Sequence, residues 1–141
     1  MATPYLDVYN RFLHKVTDYF IFDLSDEETC DYCYTLMISA LADLTNIEHD
    51  LNNMDDELAQ FNEDLSNTEM EYIAHQMVCE WVNPQINNTT LVTFFVADNE
   101  KKFFAPSALL NQLRGLREDS LARRKKIRRD WNLSHSEYFE Q

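Results

Sequence analysis

Two cysteines three positions apart, Cys30 and Cys33, form a C-x-x-C motif that could supply two thiolates to zinc or act as a redox pair. A tetrahedral zinc site needs four ligands, and the chain offers in addition only the isolated Cys79 and scattered histidines. Both cysteines of the motif also fall on the apolar face of a predicted helix. We therefore expect buried cysteines that serve as small hydrophobic side chains. Three cysteines are an odd number, which indicates reduced thiols, as in a cytosol, rather than a disulfide framework.

Glu71 and His75 lie four residues apart, so both could reach one metal ion from a single helix face. Di-metal sites in helical bundles use a Glu-x-x-His pair from each of two helices, and this chain has no such pair. We expect a solvated pair or a contact on the helix surface. With Gly115 as its single glycine, the chain cannot form a Gly-x-Ser-x-Gly elbow or a glycine-rich phosphate loop. The sequence predicts no metal, no cofactor and no enzymatic activity.

Charge is distributed unevenly along the chain, whose net charge is −13. No Lys or Arg lies between Lys15 and Lys101, whereas eight basic residues fall between Arg114 and Arg129. Basic side chains on one helix could neutralise nucleic-acid phosphates. They could equally form a solvated helix end that favours the C-terminal dipole, or dock onto an acidic protein partner. Composition leaves these three interpretations open.

Aromatic residues in the polar C-terminal stretch could anchor a partner by filling pockets on its surface. The alternative is a disordered end of the chain. The candidate partner-binding residues are Arg123, Arg124, Lys125, Lys126, Arg128, Arg129, Trp131, Tyr138 and Phe139.

Helices must position these residues, because one Gly and three Pro in 141 residues leave little material for hairpin turns. All-β and glycine-rich nucleotide-binding α/β folds are therefore disfavoured. An apolar fraction of 45% is enough for a packed core. No stretch approaches the roughly 18 consecutive apolar residues that cross a bilayer, and no signal-peptide pattern opens the chain. We expect a soluble, untargeted, all-α protein of one domain.

Two helices are predicted in the first third of the chain. Thr3, which precedes a proline, is predicted to cap the first helix, which ends near Phe20. Ser25 and Glu28 form a capping box for a second helix that ends near Ile47. The predicted apolar faces contain Tyr5, Tyr9, Phe12, Val16 and Tyr19 in the first helix and Cys30, Cys33, Tyr34, Met37, Ile38, Leu41 and Leu44 in the second.

Residues 48–65 are rich in Asn and Asp, which favour local hydrogen bonds over helix, so we expect an acidic excursion with at most one short helix. Ser66 and Glu69 form a second capping box, and Pro84 is predicted to end the central third helix. Its predicted core residues are Met70, Ile73, Ala74, Met77, Val78, Trp81 and Val82. Residues 88–104 contain β-favouring side chains, and their periodicity leaves helix and hairpin open.

A long last helix is predicted from a cap at Ser107 to about Asp130. Its apolar stripe contains Leu109, Leu110, Leu113, Leu116 and Leu121. The second half loses this stripe, so we expect it to project from the body. The predicted fold is a small bundle of four to five helices with a long C-terminal helix and an extended C-terminal tail. Residues 1–122 form an acidic helical body, and residues 123–141 form the basic helix end and tail of the same domain.

Several motifs of the sequence resemble head-tail connector, or adaptor, proteins of tailed bacteriophages over roughly residues 5–131. These motifs are helix caps and core positions rather than a chemical signature. They are Asp50-Leu51, Asp55-Asp56-Glu57, Gln60-Phe61-Asn62, Asp64-Leu65, Glu69, Ile73-Ala74, Met77-Val78, Glu80-Trp81-Val82-x-Pro84-Gln85 and Phe103-Phe104-Ala105-Pro106-Ser107, followed by a leucine-rich helix.

The resemblance implies an all-helical subunit of a virion neck, assembled in the cytoplasm of a bacterial host. About a dozen identical subunits would form a ring beneath the portal protein, bind the next neck or tail-completion protein, and let viral DNA pass without specific binding. In that family the C-terminal segment reaches the portal, which by position places this contact on residues 123–129 and on Trp131, Tyr138 and Phe139. The resemblance also favours helix for residues 88–96.

Overall fold

Four helices and three very short strands make up the part of the chain that the structure, a computed structural model, describes: residues 2–16, 26–99 and 106–134. The elements in chain order are β1 (Thr3–Pro4), α1 (Tyr5–Val16), α2 (Asp26–Asp43), β2 (Met54–Asp55), β3 (Gln60–Phe61), α3 (Asn67–Asn99) and α4 (Pro106–Ser134). The all-α prediction is confirmed, with a long C-terminal helix. The predicted tail beyond residue 134 lies outside the described residues, as do the predicted first-helix end at Phe20 and the second-helix cap at Ser25.

A small antiparallel sheet has the strand order β1-β3-β2, and β1 leads directly into α1. The prediction that Thr3 caps the first helix is wrong, because Thr3 lies in β1 opposite Phe61. Its hydroxyl donates a hydrogen bond to the carbonyl of Glu63 (3.0 Å) and accepts one from the amide of Leu65 (2.9 Å). The Thr3 hydroxyl, which was predicted to cap α1, is thus hydrogen-bonded to residues some 60 positions away. The buried side chains of α1 follow the predicted periodicity.

Residues 44–66 contain no helix, in agreement with the prediction of an acidic excursion, and their β2-β3 hairpin was not expected. Asp55 builds the turn, since its carboxylate accepts hydrogen bonds from the amides of Glu57 (3.0 Å) and Leu58 (3.2 Å). Ala59 has a positive φ of 51°. Its carbonyl accepts a hydrogen bond from the amide of Tyr5 (2.9 Å), which ties the turn to the start of α1.

Helix α2 ends at Asp43, earlier than predicted, and its buried face is shifted from the predicted one. Cys33, Met37 and Leu41 are buried as expected, but Cys30 and Ile38 are exposed. Leu36 and Ala40 are buried in their place. The buried face of α2 is therefore rotated slightly about the helix axis relative to the predicted face.

Helix α3 begins with the predicted capping box: the amide of Glu69 donates to the Ser66 hydroxyl (3.2 Å), and the Ser66 amide donates to the Glu69 carboxylate (3.0 Å). The predicted end at Pro84 is wrong, because the helix continues to Asn99. Proline removes the hydrogen bond to the carbonyl of Glu80, a loss of about 3 kcal/mol in an isolated helix. Packing of α3 along α4 outweighs this loss. Residues 88–96 are helical, as the resemblance implied.

The core lies around the first half of α3, which packs against each of the other three helices, and every predicted core residue of that helix is buried. Helix α4 packs mainly against α3. It begins at Pro106, so Ser107 lies inside the helix rather than at its cap. The predicted projection of its second half is wrong. Ile127 packs on the core, and the Arg128 guanidinium donates a hydrogen bond to the Asn46 carbonyl in the loop after α2.

Candidate functional site

The basic run of α4, predicted as one patch, is divided by the helix between two surfaces. Residues 124, 125, 128 and 129 recur with the spacing of one helix face, and residues 123, 126 and 127 fall on a neighbouring face. We call the first surface the basic strip. It lines a shallow groove of about 300 Å³ together with Asn132 and Leu133.

One side of the basic strip contacts the body of the protein, and the other side is exposed to solvent. Arg128 reaches the Asn46 carbonyl, and Arg124 is half-buried, whereas Lys125 and Arg129 are exposed. The aliphatic stems of long basic side chains can cover apolar surface while the charged ends stay in water. A helix segment with few apolar residues can therefore lie on the body and still present its charge to a partner.

The second surface of α4 faces α3 across a groove of about 350 Å³ lined by Asn67, Thr68, Glu71, His75, Arg123, Lys126 and Ile127. Arg123 pairs with Asp119 (3.2 Å), and Lys126 pairs with Asp130 (2.9 Å), each within one turn of α4. Lys126 lowers the pKa of Asp130, chiefly through this hydrogen bond. Exposed pairs of this kind contribute little to helix stability, because water screens their charges.

Glu71 is the centre of the ion pairs in this groove. Its carboxylate lies 2.8 Å from the Arg11 guanidinium and 2.6 Å from the Lys15 ammonium, so α1 is fastened to α3. Burial alone raises the pKa of Glu71, but the hydrogen bonds from Lys15 and Arg11 outweigh burial and lower it. The carboxylate is therefore ionised and engaged by two cations.

His75 meets Glu71 at 3.5 Å, so the predicted contact exists, but this histidine is buried rather than solvated. Burial, with a smaller effect from the Lys15 charge, lowers the pKa of His75 to about 4. At neutral pH the imidazole is uncharged, and its contact with Glu71 is not an ion pair. Its Nδ1 has no hydrogen-bond partner among the described residues.

The C-x-x-C motif is split between two environments. Cys33 is buried, and burial raises the pKa of its thiol to about 12, which keeps it protonated. Cys30 is exposed, which corrects the prediction that both cysteines belong to the core. Cys79 is buried, and burial also raises the pKa of its thiol. All three are free thiols.

Glu48, His49 and Glu69 bring three possible metal-ligand atoms within 4.8 Å of one another. Glu69 is only 1% exposed, yet its carboxylate accepts hydrogen bonds from the amides of Ser66 and His49 and contacts His49 Nδ1 at 2.7 Å. The hydrogen bond to Glu69 is the largest cause of the raised pKa of His49. These bonds explain the buried carboxylate as the cap of α3 and a tie to the preceding loop.

A third groove, missed by the sequence analysis, lies between α1, α2 and the β2-β3 hairpin. We call it the tyrosine groove; its volume is about 510 Å³, and its lining includes Tyr5, Leu6, Tyr9, Asp31, Tyr34 and Asp56. The Asp56 carboxylate accepts hydrogen bonds from the hydroxyls of Tyr5 (2.7 Å) and Tyr34 (3.1 Å). Burial, and then this hydrogen bond, raise the pKa of both phenols. The helical spacing of Tyr5 and Tyr9 was visible in the sequence, but nothing local indicated that the hairpin would bring Asp56 to them.

Of the predicted aromatic anchors, Trp131 is half-buried on α4, while Tyr138 and Phe139 lie outside the described residues. No helix of the described residues is both long and apolar enough to cross a membrane. No protein-family model, curated protein or solved structure matches the chain.

Proposed function

We propose that this protein is a structural virion protein, the head-tail connector subunit of a tailed bacteriophage. Identical subunits form a ring below the portal protein and link the capsid to the tail around the DNA channel. The proposed location is the neck of the virion at the portal vertex, with the next neck or tail-completion protein on the opposite side.

The observation that carries this proposal is the separation of charge on one helical unit. The chain has 25 acidic residues against 12 basic ones, and α4 presents the basic strip on a single face. A molecule of this kind repels copies of itself and acidic neighbours except where α4 meets carboxylates. Oriented assembly is the behaviour that such a charge distribution favours.

An acidic body also suits a conduit for DNA. A duplex carries one negative charge per about 1.7 Å of its axis, so positively charged walls would hold it by releasing counterions. Acidic walls repel it and let it pass. In this proposal viral DNA passes through the ring without binding specifically to it.

Three of the candidate chemical groups have structural explanations, which supports an assembly role. Glu71 binds Arg11 and Lys15, and Glu69 caps α3. Cys33 is a buried, protonated thiol. The proposed function uses no cofactor.

The experiment is assembly with the portal protein encoded by the same genome. We expect size-exclusion chromatography with light scattering, or native mass spectrometry, to show a closed oligomer, and co-sedimentation to show its attachment to the portal. A chain that stays monomeric with and without the portal would contradict the proposal.

The contribution of the C-terminal aromatic residues can be separated from that of the body. Deletion of residues 135–141 removes Tyr138 and Phe139 but leaves α4 intact to Ser134. We expect the truncated chain to keep its circular dichroism spectrum and to lose portal attachment. Trp131→Ala in the full-length chain serves as the second variant. Undiminished co-sedimentation of both variants would remove the aromatic residues from the mechanism.

The basic strip favours a second candidate, a small helical nucleic-acid-binding or regulatory protein. Four basic side chains on one helix face could neutralise several phosphates, which predicts an affinity that falls steeply with salt. A mobility shift of duplex DNA at physiological salt, abolished by Lys125→Glu with Arg129→Glu, would favour this second function over the first.

A further inference from the structure

The tyrosine groove presents an acidic and partly apolar surface for which the proposed function gives no role. Asp31 is exposed at this groove, and Leu6 is 52% exposed at its edge. The half-buried Tyr34 ring lines it, with its centroid 6.0 Å from that of the buried Tyr5 ring. Carboxylates and aromatic faces both attract cationic side chains. The chemistry that fits this groove is therefore a basic segment with an apolar side chain beside it.

Exposed apolar side chains lie both around this groove and at the basic strip. Among the side chains that the structure describes, those of residues 2–16, 27–87 and 110–134, four large apolar ones are exposed: Leu6, Ile38, Leu58 and Leu133. Leu6 lines the groove, Leu58 precedes its lining residue Ala59, and Ile38 lies one helical turn beyond Tyr34. Leu133 lines the basic strip. Each surface thus combines exposed apolar area with charge, and the charges of the two surfaces have opposite signs. This is the composition of two complementary halves of an interface.

The two surfaces lie on different elements of the molecule and share no lining residue. The groove is formed by α1, α2 and the hairpin, whereas the strip belongs to α4, which packs mainly against α3. A groove and a strip that share no lining residue can pair between copies, in a head-to-tail contact. Such contacts give a closed ring when the rotation between copies closes, and a filament when it does not.

We infer that the tyrosine groove of one subunit receives the basic strip of a second copy of this chain. Lys125 and Arg129 approach Asp31 and the half-buried Tyr34 ring, and Leu133 packs beside Leu6. The C-terminal segment after residue 134 is a poorer occupant, because its charged residues, Glu137 and Glu140, are acidic like the groove. This inference rests on the proposed ring and identifies its subunit interface.

Charge exchange between the two surfaces tests the inference directly. The strip variant carries Lys125→Glu and Arg129→Glu, and the groove variant carries Asp31→Lys; all three side chains are exposed. Each variant alone places like charges across every contact, so we expect the Kd for self-association to rise on the order of tenfold or more. A 1:1 mixture restores opposite charges at every contact of an alternating assembly, so we expect assembly to return.

Sedimentation velocity at low and at physiological salt measures self-association, and circular dichroism confirms that each variant is folded. Asp64→Lys is the matched control, because Asp64 is exposed and lies outside the groove; we expect it to assemble as the unmodified chain does. Variants that associate normally, or a mixture that associates no better than its components, would overturn the inference. If that happened while the unmodified chain still formed a ring with the portal, the proposed function would stand and only this interface would fall.

Discussion

The first half of α3 and the second half of α4 lie side by side and differ in how many neighbours surround them. From Met70 to Val82 every side chain is buried except Glu71 and Glu80, which are half-buried. From residue 121 to 134 no side chain of α4 is fully buried. A helix that is apolar on all sides must be enclosed, whereas a helix with one contact face can carry charge on the others. The same secondary structure therefore serves as core in one case and as binding surface in the other.

The two tryptophans provide the sharpest test of this comparison, since one lies in each helix. Trp81 in α3 is 1% exposed, and we expect Trp81→Ala to lower the free energy of unfolding by about 3–5 kcal/mol through the cavity it leaves. Trp131 in α4 is half-buried, and we expect Trp131→Ala to cost about 1 kcal/mol or less. Urea unfolding followed by circular dichroism measures both. Equal losses would show that α4 is as enclosed as α3.

A pH titration tests the buried histidine at the contact between these helices. Burial lowers the pKa of His75 from 6.5 to about 4. Between pH 6.5 and about pH 4, the imidazole is therefore protonated in the unfolded chain but not in the folded chain. Stability should therefore fall as the pH decreases from about 6.5 towards 4, by roughly 2–3 kcal/mol. Chemical unfolding at a series of pH values measures this loss, and His75→Leu should remove most of it.

His49 is the matched control for that titration, because its pKa is raised by the hydrogen bond to Glu69. Its contribution to stability is present below its unfolded pKa of about 6.5 and is lost as the pH rises through its folded pKa. His49→Gln should therefore lower stability at acidic pH, the opposite of the change at His75. If His75→Leu left the loss of stability between pH 6.5 and about pH 4 unchanged, the His75 imidazole would not be desolvated between α3 and α4.

On the two faces of α4 we expect smaller effects than at Trp81. Ile127 is half-buried against the core, and Ile127→Ala should cost about 1–2 kcal/mol, less than a fully buried isoleucine. Lys125 is exposed, and Lys125→Ala should change stability by less than about 0.5 kcal/mol. Thermal and urea unfolding compare the two. A silent Ile127→Ala would mean that this half of α4 is not held on the body and would restore the projecting arm predicted from the sequence.

Local patterns predicted local structure well. The Ser66-Glu69 capping box is present because both partners lie within one helical turn, and the buried side chains of α3 follow its apolar spacing. The same reasoning failed at Thr3, whose hydroxyl is used by residues 63 and 65. A capping signal is decisive only where no distant partner competes for the group.

The candidate site was predicted in part. The run from Arg123 to Arg129 was identified by charge alone, but its division into two surfaces depends on which face of α4 lies against α3. The tyrosine groove was not predicted, because its residues come from α1, α2 and a hairpin and are spread over more than 50 positions of the chain. Tyr5 and Asp56 become neighbours only when β3 pairs with both β1 and β2.

Composition and periodicity by themselves determined that this protein is helical, that its third helix is central, and that its basic charge lies on its last helix. These are properties of single segments, and apolar spacing and charge count report them directly. Only the tertiary structure decided that α3 continues through Pro84 and that the basic end of α4 lies on the body. It also decided that Asp56 accepts hydrogen bonds from Tyr5 and Tyr34. The first two depend on a balance between a local cost, a proline or a row of like charges, and packing against a segment that is distant in sequence. The third depends on strand pairing between segments that are distant in sequence.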